Sequence, residues 1–286
     1  MKSRRFIIAD VFTQERFGGN QLAVFTDGAG LDSATMQNIA REMNYSETTF
    51  LLPPEEGGDY RVRIFTPARE LPFAGHPLVG TANVIVAEEL KPSTGALTTV
   101  RLETGVGEIV VEVKTEGGRA GHTTMTQPLP VVKGTFPDAA AVAKALSIDA
   151  SDIQSTGLPI EAIYNGITVV IVPLASRMAI DRIRVDGIAM DAIVEALGAE
   201  TVLAFTRETL AASSTVHCRV FAPGAGVGED AATGSANGPL GCYLVKHGLV
   251  KAEPLTRIVS EQGCEMTHGR GGGPFRHLQA IEVKLV

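Results

Sequence analysis

The sequence predicts an α+β fold in which one order of elements occurs twice. Residues 63–67 and 219–223 have similar sequences, RIFTP and RVFAP, and each is followed by a glycine-containing turn and an apolar run. Their arginines lie 156 positions apart, which is too far for a solenoid repeat and typical of a duplicated domain. The first apolar run, residues 78–90, is apolar on most sides, so we expect a buried helix with a sheet of short strands curled around it.

Local patterns predict the remaining elements. Asp32 or Ser33 is a candidate N-cap for an amphipathic helix, and runs rich in β-branched residues indicate strands. The predicted strands are residues 6–12, 22–25, 46–52, 60–66, two or three within 98–125, 166–172, 201–206, 216–221 and 279–286, with further helices at 138–146, 187–197 and from near Ser235.

The proline-rich residues 127–130 predict a boundary between two domains. The N-terminal half is then residues 1–127, and the C-terminal half is residues 128–278. We expect the final strand, residues 279–286, to join the N-terminal half.

Composition narrows the class of function. A chain of 286 residues with 44% hydrophobic residues can fill two cores, and a net charge of −7 without a basic cluster argues against a nucleic-acid partner. No apolar stretch approaches the roughly 18 residues of a membrane span, and the first apolar run stops at Asp10, too early for a signal peptide. Three widely spaced cysteines fit neither a disulfide framework nor a metal site, so the predicted location is a reducing cytoplasm.

Residues 228–236, GEDAATGSA, predict a glycine-rich turn that leads into a helix. Such a turn directs backbone N–H groups and the positive end of the helix dipole toward one place, which favours an anion there. Two acids, Glu229 and Asp230, stand beside this place. A carboxylate is costly next to an anion site unless it has a function, so both are candidate functional residues.

Four motifs in matching order resemble the PhzF-like family of phenazine-biosynthesis isomerases. They are Gly19-Asn20, residues 46–50 (SETTF), residues 72–77 (PFAGHP) and residues 229–235 (EDAATGS), and the resemblance covers nearly the whole chain. It implies a diaminopimelate epimerase-like fold of two pseudo-symmetric halves, each a curled, barrel-like β-sheet around a central helix. It also implies a homodimer.

The resemblance assigns roles to individual residues. It implies that Glu47 is the catalytic acid/base and that His76, Asp230 and Ser235 surround the substrate with it. Asn20 would face the substrate pocket, and the helix starts at Gly75 and Gly234 would hold a substrate carboxylate.

The residues alone leave other interpretations open at four of these positions. Glu47 could be a solvated charge at a strand end, Asn20 a turn residue, Asp230 a helix cap and His76 a core histidine.

The implied reaction moves a proton between two carbons of a small carboxylated metabolite, with Glu47 taking the proton from one carbon and returning it to the other. The resemblance implies a cofactor-independent isomerase of the trans-2,3-dihydro-3-hydroxyanthranilate isomerase type, but the sequence alone does not identify the substrate. Related epimerases and racemases carry one cysteine before the glycine of each helix-start turn, where this chain has Ala74 and Thr233. Neither residue shuttles a proton as a thiolate does, which disfavours an amino-acid epimerase or racemase. A non-catalytic small-molecule binding protein with the same fold is a further alternative.

No cofactor or metal is expected. The glycine runs lack the strand–GxGxxG–helix context, and His122, His217, His247, His268 and His277 show no ligand spacing, so we interpret them as structural or solvated. Residues 267–274, THGRGGGP, depart from the family pattern; a phosphate cradle and a flexible loop are both open.

Overall fold

A computed structural model describes residues 3–13, 18–93, 95–117, 119–223, 227–266 and 277–283. The glycine-rich loop at residues 267–274 lies outside the described residues. The chain divides into two compact units, Met1–Pro128 and Leu129–Val286. Each unit contains one eight-stranded sheet and its own helices, which gives the α+β class expected from the sequence.

The first unit consists of a mixed sheet with two helices. Its strands are β1 (Phe6–Val11), β2 (Asn20–Phe25), β3 (Glu47–Leu52), β4 (Tyr60–Phe65), β5 (Glu70–Leu71), β6 (Leu97–Thr104), β7 (Gly107–Glu116) and β8 (Arg119–Met125), and its helices are α1 (Ser33–Met43) and α2 (Gly75–Ala87). The strand order is β1-β2-β3-β4-β6-β7-β8, with β5 paired to β4.

Helix α2 is the element around which the first sheet curls. It packs against β1 and β2 at one edge of the sheet and against β7 and β8 at the other, so the sheet must bend around it. Ten of its thirteen residues are buried, in agreement with the predicted all-round apolar helix. Alternate residues of β2 face opposite ways: Leu22 and Val24 pack toward α2, whereas Ala23 and Phe25 pack under α1.

The second unit repeats this arrangement with more helices. Its strands are β9 (Val131–Phe136), β10 (Ile160–Tyr164), β11 (Thr168–Pro173), β12 (Thr201–Thr206), β13 (Val216–Ala222), β14 (Val227–Asp230), β15 (Thr256–Gln262) and β16 (His277–Val283). Its helices are α3 (Ala139–Leu146), α4 (Ala150–Gln154), α5 (Arg177–Arg182), α6 (Gly187–Ala196) and α7 (Gly234–Lys246). Helix α7 packs against both β11 and β16, which are separated by three strands in the sheet order, so this sheet also curls.

One expectation about the second half is wrong. Strand β16 pairs antiparallel with β15 along seven residues, so the last strand belongs to the sheet of the second unit and does not join the N-terminal half. The amide and carbonyl groups along the edge of β15 form hydrogen bonds with β16, the strand that follows it in sequence, as in an ordinary antiparallel pair.

The strand pairing bears out the duplicated arrangement. Strands β1, β2, β3, β4, β6 and β7 correspond to β10, β11, β12, β13, β15 and β16, with the same parallel or antiparallel sense at each step. The first residue pair of the β3–β4 ladder is Thr48 with Phe65, and the first pair of the equivalent β12–β13 ladder is Val202 with Phe221. Phe65 and Phe221 therefore occupy matching positions. The repeated sequences recognised at residues 63–67 and 219–223 therefore occupy equivalent strands, β4 and β13.

Candidate active site

Glu47 lies at the start of β3, just after the chain turns out of α1. Asn44 ends α1 in the left-handed backbone conformation (φ 54°), and the extended strand begins at Glu47. The Glu47 side chain is only 12% exposed, and its Oε2 atom lies 3.3 Å from Nε2 of His76. Glu47 is therefore not a solvated charge at a strand end, because its carboxyl group is largely withdrawn from water beside an imidazole.

The imidazole of His76 is buried in the first turn of α2. It is 3% exposed, and this burial lowers its pKa to about 3, although a hydrogen bond with the backbone of Gln21 offsets part of the effect. His76 is therefore neutral near pH 7. Its contact with Glu47 joins a carboxyl group to a neutral ring and is not a salt bridge.

A neutral His76 has two tautomers, and the surroundings offer a partner for each. Nδ1 lies 3.3 Å from Nδ2 of Asn20, which is itself buried. The backbone hydrogen bond with Gln21 raises the pKa of the ring, as a carbonyl acceptor does, and since Nε2 has no hydrogen-bond partner among the described residues, Nδ1 is the ring atom available for it.

Each tautomer fits one protonation state of Glu47. When Nδ1 accepts from the Asn20 amide, Nε2 carries a hydrogen and suits an ionised Glu47. When Nδ1 donates to the Gln21 carbonyl, Nε2 becomes an acceptor and suits a protonated Glu47.

The start of α2 is built to favour an anion. Its N-cap is Ala74, which has an extended backbone and makes no side-chain cap hydrogen bond. Gly75 and His76 follow as the first helical residues, so the helix begins with backbone donors and the positive end of its dipole. The first unit thus brings Asn20, Glu47, Gly75 and His76 into one region.

In the second unit Asp230 lies at the end of β14 and is 7% exposed. Thr233, the N-cap of α7, makes no cap hydrogen bond with its side chain; its hydroxyl instead donates to Oδ2 of Asp230 at 2.5 Å. The N-cap position of α7 is thus occupied by Thr233 and not by Asp230.

Gln262, at the end of β15, makes three hydrogen bonds to this turn. Its Nε2 donates to the Asp230 carbonyl and to the Thr233 hydroxyl, both at 2.8 Å, and its Oε1 accepts from the Thr233 amide at 3.0 Å. Gln262 is fully buried, so these bonds form away from competing water. The orientation of the Asp230 carboxylate consequently depends on Thr233 and Gln262.

Ser235 lies in the first turn of α7 and is 4% exposed. In a regular helix its carbonyl would accept from the amide of residue 239, but Pro239 has no N–H. Nδ2 of Asn165 donates to this carbonyl at 3.2 Å instead. The proline in the second turn of α7 is thus accommodated by an asparagine that lies between β10 and β11 in the same unit.

Glu229, the other acid of the turn, has a structural partner. Both of its carboxylate oxygens accept from the guanidinium of Arg219, at 2.8 and 2.7 Å. The first unit contains the equivalent pair, Arg63 with Glu70, at 2.6 and 2.5 Å. The loop between the arginine and the glutamate is three residues longer in the second unit, yet both loops are closed by the same ion pair. Because Glu229 is used in this structural pair, Asp230 is the acid of the turn that stays a functional candidate.

The sequence analysis missed the supporting residues Gln262, Thr233 and Asn165. Thr233 was considered only as a replacement for a cysteine, and the hydrogen-bonding partners of Gln262 and Asn165 lie about 30 and 70 positions away in sequence. A polar residue at the end of a predicted strand was the available signal for Gln262.

None of the three cysteines is the residue before Gly75 or Gly234. Cys218 is buried on β13, and burial raises the pKa of its thiol to about 12. Cys242 lies within α7, and Cys264 follows β15. The residues before Gly75 and Gly234 are Ala74 and Thr233, the N-caps of α2 and α7, so the predicted helix-start register is correct.

His217 takes part in a group of side chains that the sequence did not indicate. The fold brings Asp181, His217 and Glu265 together, with one ligand atom of each within 4.8 Å of the others. These residues are 36 and 48 positions apart, so no local spacing revealed a possible ligand set.

Comparison with known proteins identifies the family. The family model for PhzC-PhzF, the phenazine biosynthesis-like proteins, matches residues 9–272. The chain belongs to this family. It is 40% identical over 283 residues to a trans-2,3-dihydro-3-hydroxyanthranilate isomerase of Pseudomonas fluorescens, a match that covers 97% of this chain and 94% of the relative.

Solved structures agree with the family and the fold. A PhzF-family protein from Bacillus anthracis has a TM-score of 0.81 at 25% identity, with all of both chains covered. A probable proline racemase from Agrobacterium radiobacter has the same fold, with a TM-score of 0.67 at 11% identity over 99% of this chain and 90% of the other. These similarities confirm the recognition of the family and the predicted fold class.

The chain is an isomerase, since curated relatives named as isomerases match nearly its whole length at 36–40% identity. Among the described residues, no helix is long and apolar enough to cross a membrane.

Proposed function

We propose that this isomerase moves a proton between two carbons of a small carboxylated metabolite without a cofactor, and that Glu47 is the general acid/base. The C–H bond at one carbon breaks as Glu47 accepts the proton, the electron pair shifts the double bond, and a new C–H bond forms at the second carbon. One carboxyl group on a short side chain can serve both carbons.

The position of Glu47 supports the proposal most directly. Its carboxyl group is largely buried and contacts a ring that is neutral near pH 7. A cationic neighbour would hold a carboxylate in its ionised form, whereas a neutral imidazole with two accessible tautomers suits both protonation states. His76 is thus a positioning residue that follows the proton on Glu47.

The helix starts supply the proposed binding groups for the substrate carboxylate. The N-terminus of α2 at Gly75 and that of α7 at Gly234 belong to thirteen-residue helices that lack a side-chain cap. Each therefore favours an anion. We propose that Asn20, Asp230 and Ser235 bind the remaining polar groups of the substrate.

The proposed substrate class follows from the relatives. Several are named trans-2,3-dihydro-3-hydroxyanthranilate isomerases, and that name describes a compound with a carboxylate, an amino group and a hydroxyl group. A carboxylate suits a helix start, and an amino group suits an acid such as Asp230. The compound named by these relatives is therefore the first substrate to test.

The decisive experiment replaces the carboxyl group of Glu47 by an amide. Glu47→Gln should reduce kcat by at least 10²- to 10⁴-fold, because general acid–base catalysis contributes about that much. Turnover is followed by absorbance, and proton NMR in D₂O follows deuterium at the carbon that gains the proton. Glu42→Gln, at an exposed position of α1, is the matched control and should retain wild-type activity. Wild-type turnover by a folded Glu47→Gln variant would refute the role of Glu47, and a wild-type chain that leaves the compound unchanged would refute the substrate.

A two-thiol racemase is the disfavoured alternative. Neither helix start has a cysteine, and the thiol of Cys218 is buried with a raised pKa. Incubation with free amino acids in D₂O tests this point: deuterium entering an α-position would support racemisation, and its absence supports the isomerase.

A further inference from the structure

A cluster of metal-ligand side chains lies in the second unit, outside the residues assigned to the isomerase reaction. Asp181 is on α5, His217 is on β13, and Glu265 follows β15. One ligand atom from each lies within 4.8 Å of the other two. In a tetrahedral site with bonds of about 2.1 Å the ligand atoms lie about 3.4 Å apart, so the exposed Asp181 side chain needs to move by about 1.4 Å or less to complete the set.

His217 is held so that one ring nitrogen faces the cluster. It is fully buried; its Nδ1 lies 2.9 Å from Glu261 Oε2, and its Nε2 lies 2.7 Å from Glu265 Oε1. Glu261 is itself fixed, because it accepts from the amides of Leu210 and Ala211 at 2.8 and 2.6 Å. A carboxylate on the far nitrogen of a histidine is the usual support for a metal-binding imidazole.

The charges around this ring favour an added cation. Three carboxylates, those of Asp181, Glu261 and Glu265, stand around one imidazole. The guanidinium of Arg219 lies near the cluster, with its Nε 4.0 Å from Glu265, but it is already paired with Glu229. In addition, Oε2 of Glu265 is buried and has no hydrogen-bond partner among the described residues.

The first unit lacks this arrangement at the equivalent place. The residue opposite Glu261 in the strand pairing is His217, and the residue opposite the corresponding Glu103 is Arg61. Glu103 accepts backbone amides just as Glu261 does, so the carboxylate anchor of the loop is common to both units. The position of Arg61 in the first unit is thus occupied by His217 in the second. Since the first unit forms the same sheet with an arginine there, the fold itself does not require His217.

We propose that Asp181, His217 Nε2 and Glu265 bind a divalent transition-metal ion, with Zn²⁺ as the expected occupant. One imidazole nitrogen and two carboxylate oxygens suit Zn²⁺ and leave a fourth position for water. The ion would link α5 to the ends of β13 and β15. It is a structural site, separate from the residues proposed for catalysis.

The test uses the full-length chain without a histidine tag, stripped with a chelator. Isothermal titration with ZnCl₂ measures stoichiometry and affinity, and visible absorption after addition of CoCl₂ reports the ligand set. We expect one Zn²⁺ per chain and a higher melting temperature in its presence. Asp181→Asn and Glu265→Gln should each weaken binding at least 10-fold, since even a lost second-shell partner costs a metal site 10- to 100-fold.

The matched control is Asp191→Asn, at an exposed position of α6, which should bind Zn²⁺ as the wild type does. Circular dichroism verifies that each variant is folded, and because Asp181 is exposed, Asp181→Asn is the ligand substitution less apt to disturb the fold. Absence of saturable Zn²⁺ binding would overturn the proposal. Binding that survives both ligand substitutions would do so as well, because it would then come from surface histidines or cysteines.

Discussion

Thr233 connects the Asp230 carboxylate to the interior of the second unit, and Thr233→Val removes only this connection. Valine has nearly the same shape, but it loses the hydrogen bond to Asp230 Oδ2 at 2.5 Å and the one from Gln262 Nε2 at 2.8 Å. A hydrogen bond to a charged group contributes about 1.5–3 kcal/mol and a neutral one about 0.5–1.5 kcal/mol. Because Gln262 keeps its bond to the Asp230 carbonyl, we expect the free energy of unfolding to fall by about 2–4 kcal/mol.

The same substitution should affect catalysis if Asp230 binds the substrate. Loss of the Thr233 hydrogen bond leaves the Asp230 carboxylate less well oriented, which should cost about 1.4–2.8 kcal/mol of transition-state stabilisation, a 10- to 100-fold decrease in kcat/KM. Urea unfolding and steady-state kinetics measure the two effects, and Thr233→Ser, which keeps the hydroxyl, should restore both. The reasoning fails if Thr233→Val unfolds at the same urea concentration as the wild type and retains its kcat/KM.

Three further predictions concern backbone, protonation and assembly. Gly263 has φ +78°, and a Cβ added there would lie 2.5 Å from the Ala231 carbonyl oxygen. Gly248 has a similar φ of +67°, but an added Cβ would meet no atom within 4 Å. Gly263→Ala should therefore lower the melting temperature and kcat/KM more than Gly248→Ala. The ring of His76, with a pKa of about 3, should not titrate by NMR between pH 8 and pH 5. The imidazole of the unfolded chain binds a proton near pH 6.5, so the contribution of His76 to the free energy of unfolding should fall as the pH decreases from 6.5 toward 3. A titration midpoint near pH 6.5 for His76 in the folded protein would contradict the burial of the ring. Light scattering tests the homodimer, which stays a prediction, against the monomer mass of 30.1 kDa.

The sequence was sufficient for the duplicated fold because the repeat is carried by local features. The RIFTP and RVFAP strands, the glycine turns and the buried helices α2 and α7 are each recognisable within about ten residues. The placement of β16 was predicted wrongly, because the expectation assigned the last strand to the N-terminal half, whereas it pairs with β15, the strand before it in sequence.

The candidate residues of the site were predicted from motifs, but their environments were not. The sequence left Glu47 open as a solvated charge, and only the fold places it 3.3 Å from a buried His76. The neutral state of His76 follows from burial, which no local pattern reports. The ligand cluster around His217 was missed for the same reason, since its members come from three separate elements.

The duplicated scaffold does not give the two units the same chemistry. By strand register, the counterpart of Glu47 in the second unit is Thr201, since Glu47 is opposite Leu22 and Thr201 is opposite Val169 in equivalent strands. The counterpart of Asp230 in the first unit is Leu71, at the same place opposite β4.

Each unit therefore carries one of the two carboxylates proposed for function, and the two occupy non-equivalent positions. A pair of equivalent acids would favour a symmetric reaction in which either face can remove a proton, as two matched thiols do in a racemase. One acid beside a neutral imidazole and another held by Thr233 and Gln262 have different environments and can carry different roles. This asymmetry is the physical reason to assign proton transfer to Glu47 and substrate binding to Asp230.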